Sequence, residues 1–299
     1  MMPRVVFLGN HTVGVRSLAG LSRCSEIELV VAHPSDPEDG VVYESVYEHA
    51  RQQGMSVIRA KGGDPELLEQ IRRIDPDILW TTDYRYLIPK SLIECPSLAS
   101  INLHPSLLPL YRGRAAINWA ILNGETDIGL TAHLIDEGVD TGPILRQESI
   151  RLEQADDVGD ALRLLEPIYE RLSMELVSSI MEHGLDGTPQ PDGDWPIWPR
   201  RTPKDGAIDW SQSSRDIVNL VRAVARPYPG ARTSLKGDLV HVWKARAAER
   251  NDVMQPKPGR IHSVDDRSLT VESLDGLVEI LEWSGDADPE RVRQGDTFE

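Results

Sequence analysis

The chain has 299 residues, 40% of them hydrophobic, enough for two modest domains with their own cores. Its 32 lysines and arginines against 48 aspartates and glutamates leave a formal charge of −16, a poor surface for a nucleic-acid backbone but no bar to a small nucleotide held by one or two local cations. No apolar run approaches the roughly 20 residues of a membrane span, which argues against a membrane protein.

The N-terminus, Met1-Met-Pro-Arg4, leads directly into an apolar strand, so no signal peptide is expected and the expected compartment is the cytoplasm. Apolar runs at Val5–Leu8, Ile27–Ala32, Ile78–Thr81 and Leu98–Leu103 predict buried parallel strands. Helical patterns fall near Val13–Leu21, Val41–Gln53, Pro65–Arg73 and Ala115–Leu122, and Asp64-Pro65-Glu66 is a good helix start. Further strands are predicted at Ile128–Ile135 and Ile144–Ile150, then a long amphipathic helix over Val158–His183. The alternation predicts a doubly wound, Rossmann-like α/β domain. Five prolines and three glycines in Gly184–Pro203 mark a connector. Beyond it come a helix at Arg215–Ala225 and short strand-like runs at Arg232–Leu235, Leu239–Lys244, Gly259–Val264, Ser268–Ser273 and Leu277–Trp283. These suggest a small OB-like β-barrel. The expected division is a catalytic domain over 1–189, a linker over 190–203 and a second domain over 204–299.

The chemistry concentrates between Ile101 and Pro143. Ile-Asn-Leu-His-Pro puts Asn102 and His104 on one face of a strand, at the C-terminal end where open α/β sheets bind ligands. That face offers an amide donor and an imidazole that titrates near neutrality. Asp140 follows on a loop bearing Gly138, Thr141 and Gly142. A donor, a base and a carboxylate suit acyl transfer to an amine. Ser106 has no dedicated base and reads as holding the turn after His104. Asp136 and Asp140 share one short loop, unlike a glycosidase pair. Cys24 and Cys95 have no metal-like spacing, no His/Cys cluster of metal type is present, and no G-x-G-x-x-G follows the first strand; neither a metal nor a dinucleotide cofactor is expected.

Three motifs, Asn102-x-His104, Ser106-Leu-Leu-Pro109 and Asp140-Thr-Gly142, closely resemble the catalytic signature of the folate-dependent formyltransferase superfamily. The resemblance spans nearly the whole chain: Val5-Val-Phe-Leu-Gly9, Tyr84-Arg-Tyr-Leu-Ile-Pro89, Arg201-Thr-Pro-Lys-Asp-Gly-Ala-Ile-Asp-Trp210 and Arg222–Gly230 look like further family segments. Within it, the likeness is strongest to the domain that formylates UDP-4-amino-4-deoxy-arabinose and to sugar N-formyltransferases. Pro105 stands where many members carry glycine, as it does in other branches. The resemblance implies 10-formyltetrahydrofolate as co-substrate, with Asn102, His104 and Asp140 catalytic. It implies that Tyr86, Leu87, Ile88, Asp136 and Gly138 face the folate. On the substrate side stand Tyr84 and, since guanidinium binds phosphate in bidentate fashion, Arg112 and Arg114, with a surface or structural salt-bridge role as the alternative for both arginines.

The acceptor amine is read from the N-terminal half. Methionyl-tRNA formyltransferases similar to this chain carry a basic insertion after the second strand. Here that segment is His33-Pro-Ser-Asp-Pro-Glu-Asp-Gly40, followed by Glu44 and Glu48, which disfavours tRNA and favours a nucleotide-linked amino sugar. The arginines and lysine at 222, 226, 232 and 236 read as a solvated face or an inter-domain contact rather than a nucleic-acid surface. A 10-formyltetrahydrofolate hydrolase and a non-enzymatic folate- or nucleotide-binding protein are the other classes. Sugar formyltransferases are often dimers, so a homodimer is expected.

Overall fold

The computed structural model describes residues 2–33, 43–248, 255–265, 268–288 and 291–299. The acidic segment after the second strand, at positions 34–40, and the predicted helix start at Val41 lie outside the described residues. Along the chain run β1 (Arg4–Gly9), α1 (His11–Leu21), β2 (Glu26–Ala32), α2 (Val46–Gln52), β3 (Val57–Arg59), α3 (Pro65–Ile74), β4 (Ile78–Thr82), α4 (Lys90–Ile93) and β5 (Ala99–His104). Then follow β6 (Arg112–Gly113), α5 (Ala116–Leu122), β7 (Asp127–Leu134), β8 (Ile144–Arg151), α6 (Val158–His183) and β9 (Ile197–Trp198). The last part holds α7 (Ser214–Val224), β10 (Ala231–Leu235), β11 (Asp238–Ala247), β12 (Ile261–Val264), β13 (Leu269–Glu272) and β14 (Leu277–Gly285). Among the described residues no helix is long and apolar enough to cross a membrane.

Two compact units form, and they interleave along the chain. The first takes residues 1–116, 127–150 and 162–198; the second takes 117–126, 151–161 and 199–299. The boundary between the units falls inside the connector, between Trp198 and Pro199, so most of the proline-rich stretch belongs to the first unit.

The first unit is built on a seven-stranded sheet in the order β3-β2-β1-β4-β5-β7-β8. Strands β3, β2, β1, β4 and β5 run parallel, and β7 joins β5 antiparallel. The central strands are apolar on both faces, as helices on both sides require. One face packs Val6, Leu8, Leu29, Val31 and Leu79 against Leu67, Ile71 and Leu92 of α3 and α4. On α3, Pro65 takes a first-turn position and the Asp64 carboxylate accepts from Glu66 N at 3.0 Å, satisfying an N–H that the helix leaves unpaired. The buried Trp80 indole donates to Ser17 Oγ at 3.0 Å, and Ser17 meets Ser173 at 2.8 Å, tying β4 to α1 and α6. Because β2 and β3 lie on one side of β1 and β4 and β5 on the other, the C-terminal ends of β1, β4 and β5 border a topological switch point.

The second unit carries an antiparallel sheet in the order β10-β11-β14-β13-β12. Its two edges meet through the chain's last residues. Ser234 and Glu299 exchange backbone hydrogen bonds at 3.0 and 2.9 Å, while Phe298 N donates to Gly259 O at 2.8 Å and Ile261 N to Asp296 O at 2.7 Å. Residues 296–299 thus close the sheet into a small barrel and cover the edge groups of β10 and β12.

Candidate active site

Strand β5 ends at Pro105, which cannot donate to a ladder, and its last residues open onto the ligand side of the sheet. Asn102 and His104 share a face there, and antiparallel pairing sets Asn102 opposite His133 and His104 opposite Thr131 of β7. Asp140 sits on the β7–β8 loop with φ +53°, a left-handed conformation that aspartate tolerates better than most residues. The three predicted residues come together: His104 Nδ1 lies 3.5 Å from Asp140 Oδ2, and Asn102 Nδ2 donates to Asp140 Oδ1 at 3.4 Å.

Their surroundings fix orientation. Thr81 Oγ1 donates to Asn102 Oδ1 at 2.7 Å, which turns the amide nitrogen toward His133 and Asp140. His104 Nε2 donates to the Tyr111 carbonyl at 2.9 Å, so in the neutral ring Nδ1 is the basic nitrogen. His133 Nδ1 donates to Leu134 O at 2.7 Å, and Nε2 accepts from Asn102 Nδ2 at 3.1 Å. His104 and His133 are 5% and 2% exposed, so these contacts act with little competing water. Asp140 Oδ2 accepts a 2.8 Å bond from Gly113 N. Burial alone would push the Asp140 carboxyl up. With both rings protonated, the charge of His104, the hydrogen bond and charge of His133, whose Nε2 then donates to Asp140 instead of accepting from Asn102, and the Gly113 N–H outweigh it, holding Asp140 well below the usual carboxylate range. An imidazolium at His104 would have an acceptor at each nitrogen, so the site stabilises the proton that a base takes up.

Residues 19–167 match the formyl transferase family and residues 200–288 the formyl transferase C-terminal domain. Methionyl-tRNA formyltransferase of Ruminiclostridium cellulolyticum is 33% identical over 293 residues, 95% of this chain and 92% of its own. The chain belongs to the formyltransferase family. Two solved structures share the fold. An N-formyltransferase from Helicobacter canadensis, in complex with folinic acid and dTDP-3-aminofucose, has a TM-score of 0.72 at 20% identity, covering 95% of this chain and 100% of that one. WlaRD, a sugar 3N-formyl transferase solved with dTDP and 5-N-formyl-THF, has a TM-score of 0.72 at 18% identity, covering 96% and 100%.

In this formyltransferase the expected folate-side residues occupy two adjacent loops, one after β4 and one after β7, linked by an ion pair between Lys90 and Glu137. Leu87 is 84% exposed, too open for a core residue, and Ile88 packs on the sheet core. Tyr86 lies edge-on to His33 at 5.1 Å and to Tyr84 at 5.7 Å. A cleft of about 480 Å³ lined by Lys61, Gly63, Asp64, Tyr86 and Leu87 flanks this loop, apart from the Asn102 cluster. The Asp136 carboxylate is turned into its own loop, accepting from Gly138 N at 3.0 Å and Thr141 Oγ1 at 2.6 Å. Its side chain shapes the turn around Gly138.

The substrate-side expectations are placed differently. Tyr84 is half-buried, and its hydroxyl donates to Ala60 O at 2.9 Å, so it is anchored to the β3 side of the sheet. The Arg112 guanidinium is committed to Gln190 Oε1, at 3.1 Å from Nε and 2.6 Å from Nη2. Arg114 lies just beyond, its backbone N donating to Trp198 O at 2.9 Å. Ser106 holds the turn, as expected, donating to Leu110 O at 2.7 Å. Sequence reasoning missed His133 and Gln190. The signal for His133 was a lone ionisable residue inside the otherwise uncharged run Ile128–Ile135.

Proposed function

We propose that this formyltransferase moves the formyl group of 10-formyltetrahydrofolate to the amine of a nucleotide-linked amino sugar. The observation that carries formyl transfer is the convergence of Asn102, His104 and Asp140 at the end of β5 in a chain of this family. The amine attacks the formyl carbon, and the carbonyl electrons move onto its oxygen. Asn102 donates to that oxyanion with the N–H that otherwise makes the long 3.4 Å contact to Asp140. His104 Nδ1 takes the proton that the attacking amine sheds, and the carboxylate of Asp140 and the Tyr111 carbonyl hold the resulting imidazolium. Collapse of the intermediate breaks the bond to N10 of the folate, which receives a proton as tetrahydrofolate leaves. His133 keeps the Asn102 amide aimed. Tyr86, Leu87 and Ile88 with the Asp136–Gly138 turn form the folate side, and Arg114 faces the acceptor.

The acidic stretch His33–Gly40 supports a sugar acceptor, since it would repel a tRNA backbone. The 33% identity to a methionyl-tRNA formyltransferase supports the second reading, transfer to an aminoacyl-tRNA. The catalytic assignment is tested by following tetrahydrofolate release from 10-formyltetrahydrofolate with a UDP-linked 4-amino sugar. Loss of a single oxyanion donor costs about 100-fold or more, so Asn102→Ala is expected to lower kcat by that factor and His104→Ala by at least as much. An Asn102→Ala variant within twofold of the parent contradicts the assignment.

A further inference from the structure

The connector after α6 bridges to Ile144 through the backbone of Thr188, at 2.8 Å in each direction, and next sends the Gln190 side chain into the catalytic loop. Pro189 and Pro191 flank Gln190, and a residue before proline is confined to extended backbone, so Gln190 enters the site on a stiffened strand of chain. A primary amide has two donor hydrogens and two acceptor lone pairs. All four are used. Gln190 Nε2 donates to Asp140 O and to Gly142 O, both at 2.8 Å, while Oε1 accepts from Arg112 Nε at 3.1 Å and Nη2 at 2.6 Å. Gly113, next to Arg112, gives its N–H to the Asp140 carboxylate at 2.8 Å. Gln190, Arg112, Gly113 and Asp140 therefore form a closed ring of contacts. The same connector supplies β9, whose Trp198 accepts from Arg114 N at 2.9 Å and stacks on Tyr111 at 5.5 Å, and the Tyr111 carbonyl holds His104. Both acceptors that face the His104 ring, the Asp140 carboxylate and the Tyr111 carbonyl, are thus braced from residues 190–198.

We propose that Gln190 is a positioning residue for formyl transfer: it clamps the left-handed Asp140 against Arg112, and so sets the distance from Asp140 to His104. It rests on the formyl-transfer reading of Asn102, His104 and Asp140. The clamp also gives Arg112 a positioning role in place of phosphate binding. Only an amide serves here. The substitution Gln190→Glu would set a carboxylate against two carbonyls, and Gln190→Met would fill the space with no hydrogen bonds.

The test compares Gln190→Met and Gln190→Glu with the parent in three measurements: steady-state formyl transfer with whichever acceptor the parent uses, thermal melting, and deuterium exchange of the 111–114 and 136–143 backbones. A misplacement of about 1 Å at a reacting group costs up to about 100-fold. The expected result is a 10- to 100-fold fall in kcat for both variants, with KM for 10-formyltetrahydrofolate within about twofold. Exchange should quicken in both loops. Arg112→Met is expected to cost less, and the Gln190→Met/Arg112→Met pair no more than the worse single variant, because the two act through one contact. A Gln190→Met enzyme with kcat within twofold and unchanged loop exchange overturns the clamp. So does a loss confined to acceptor KM, which would make this pair a binding element. If the parent transfers formyl to no acceptor, the formyl-transfer reading fails by itself, and unchanged exchange in the two loops still decides against the clamp. Should Gln190→Met melt too low to assay, Gln190→Glu, which keeps its contact to Arg112, carries the same comparison.

Discussion

At the scale of single residues, the site is a buried set of hydrogen bonds in which each polar atom has a stated partner. Thr81 and His133 hold Asn102, Tyr111 and Asp140 hold His104, and Gly113 holds Asp140. The Asp140 carboxyl is depressed, so its charged form is favoured by folding. That contribution is complete above the ordinary carboxylate value near 4 and is lost as pH falls through the lower folded value. The stability advantage of the parent over Asp140→Asn is therefore expected to shrink as pH falls from about 5 to below about 4, measured by urea unfolding. An advantage that does not change with pH would contradict the ionised pairing. Asn102, His104 and Asp140 were legible because their spacing is a motif and a strand alternates its faces. His133 was not, because it reads as one position of a buried strand until register sets it opposite Asn102.

At the scale of elements, apolar runs located the central strands and the long helix Val158–His183, since burial on both faces leaves little ambiguity in a parallel sheet. The short pieces were illegible. β6 and β9 are two residues each, too short to carry a period, and pair in parallel across 85 positions of sequence from Arg112 to Ile197. The composition of Gly184–Pro203 signalled a connector, yet part of it packs as a brace, because prolines that forbid a helix also stiffen an extended strand. Gly113 shows how closely β6 and β9 approach: its φ is +98°, and an added Cβ would overlap the Trp198 carbonyl. Gly113→Ala is expected to lower the melting temperature by several degrees and kcat by 10-fold or more, since it strains the turn that supplies an N–H to Asp140. Parent-like melting and turnover would contradict the role given to this turn.

At the scale of the whole molecule, the doubly wound sheet places its chemistry at strand ends beside the switch point, while the second unit is a barrel closed by its own terminus. The barrel strands were legible from alternation, but its closure was not, because residues 296–299 are too few to show a pattern. Deleting Thr297–Glu299 is expected to destabilise the barrel by several kcal/mol, since it uncovers two strand edges and removes the Phe298 ring stacked on Trp210 at 5.6 Å. An unchanged melting temperature would contradict closure by the terminus. The formal charge of −16 belongs to this scale too, because it disfavours a large polyanion more than a small one.

The most direct measurement of the central claim is formyl transfer from 10-formyltetrahydrofolate by the parent chain to UDP- and dTDP-linked amino sugars, to methionyl-tRNA, and with no acceptor added. The account predicts transfer to a nucleotide-linked amino sugar, abolished by His104→Ala, with little turnover in the other arms. Transfer to tRNA alone, or folate turnover that needs no amine, would contradict it.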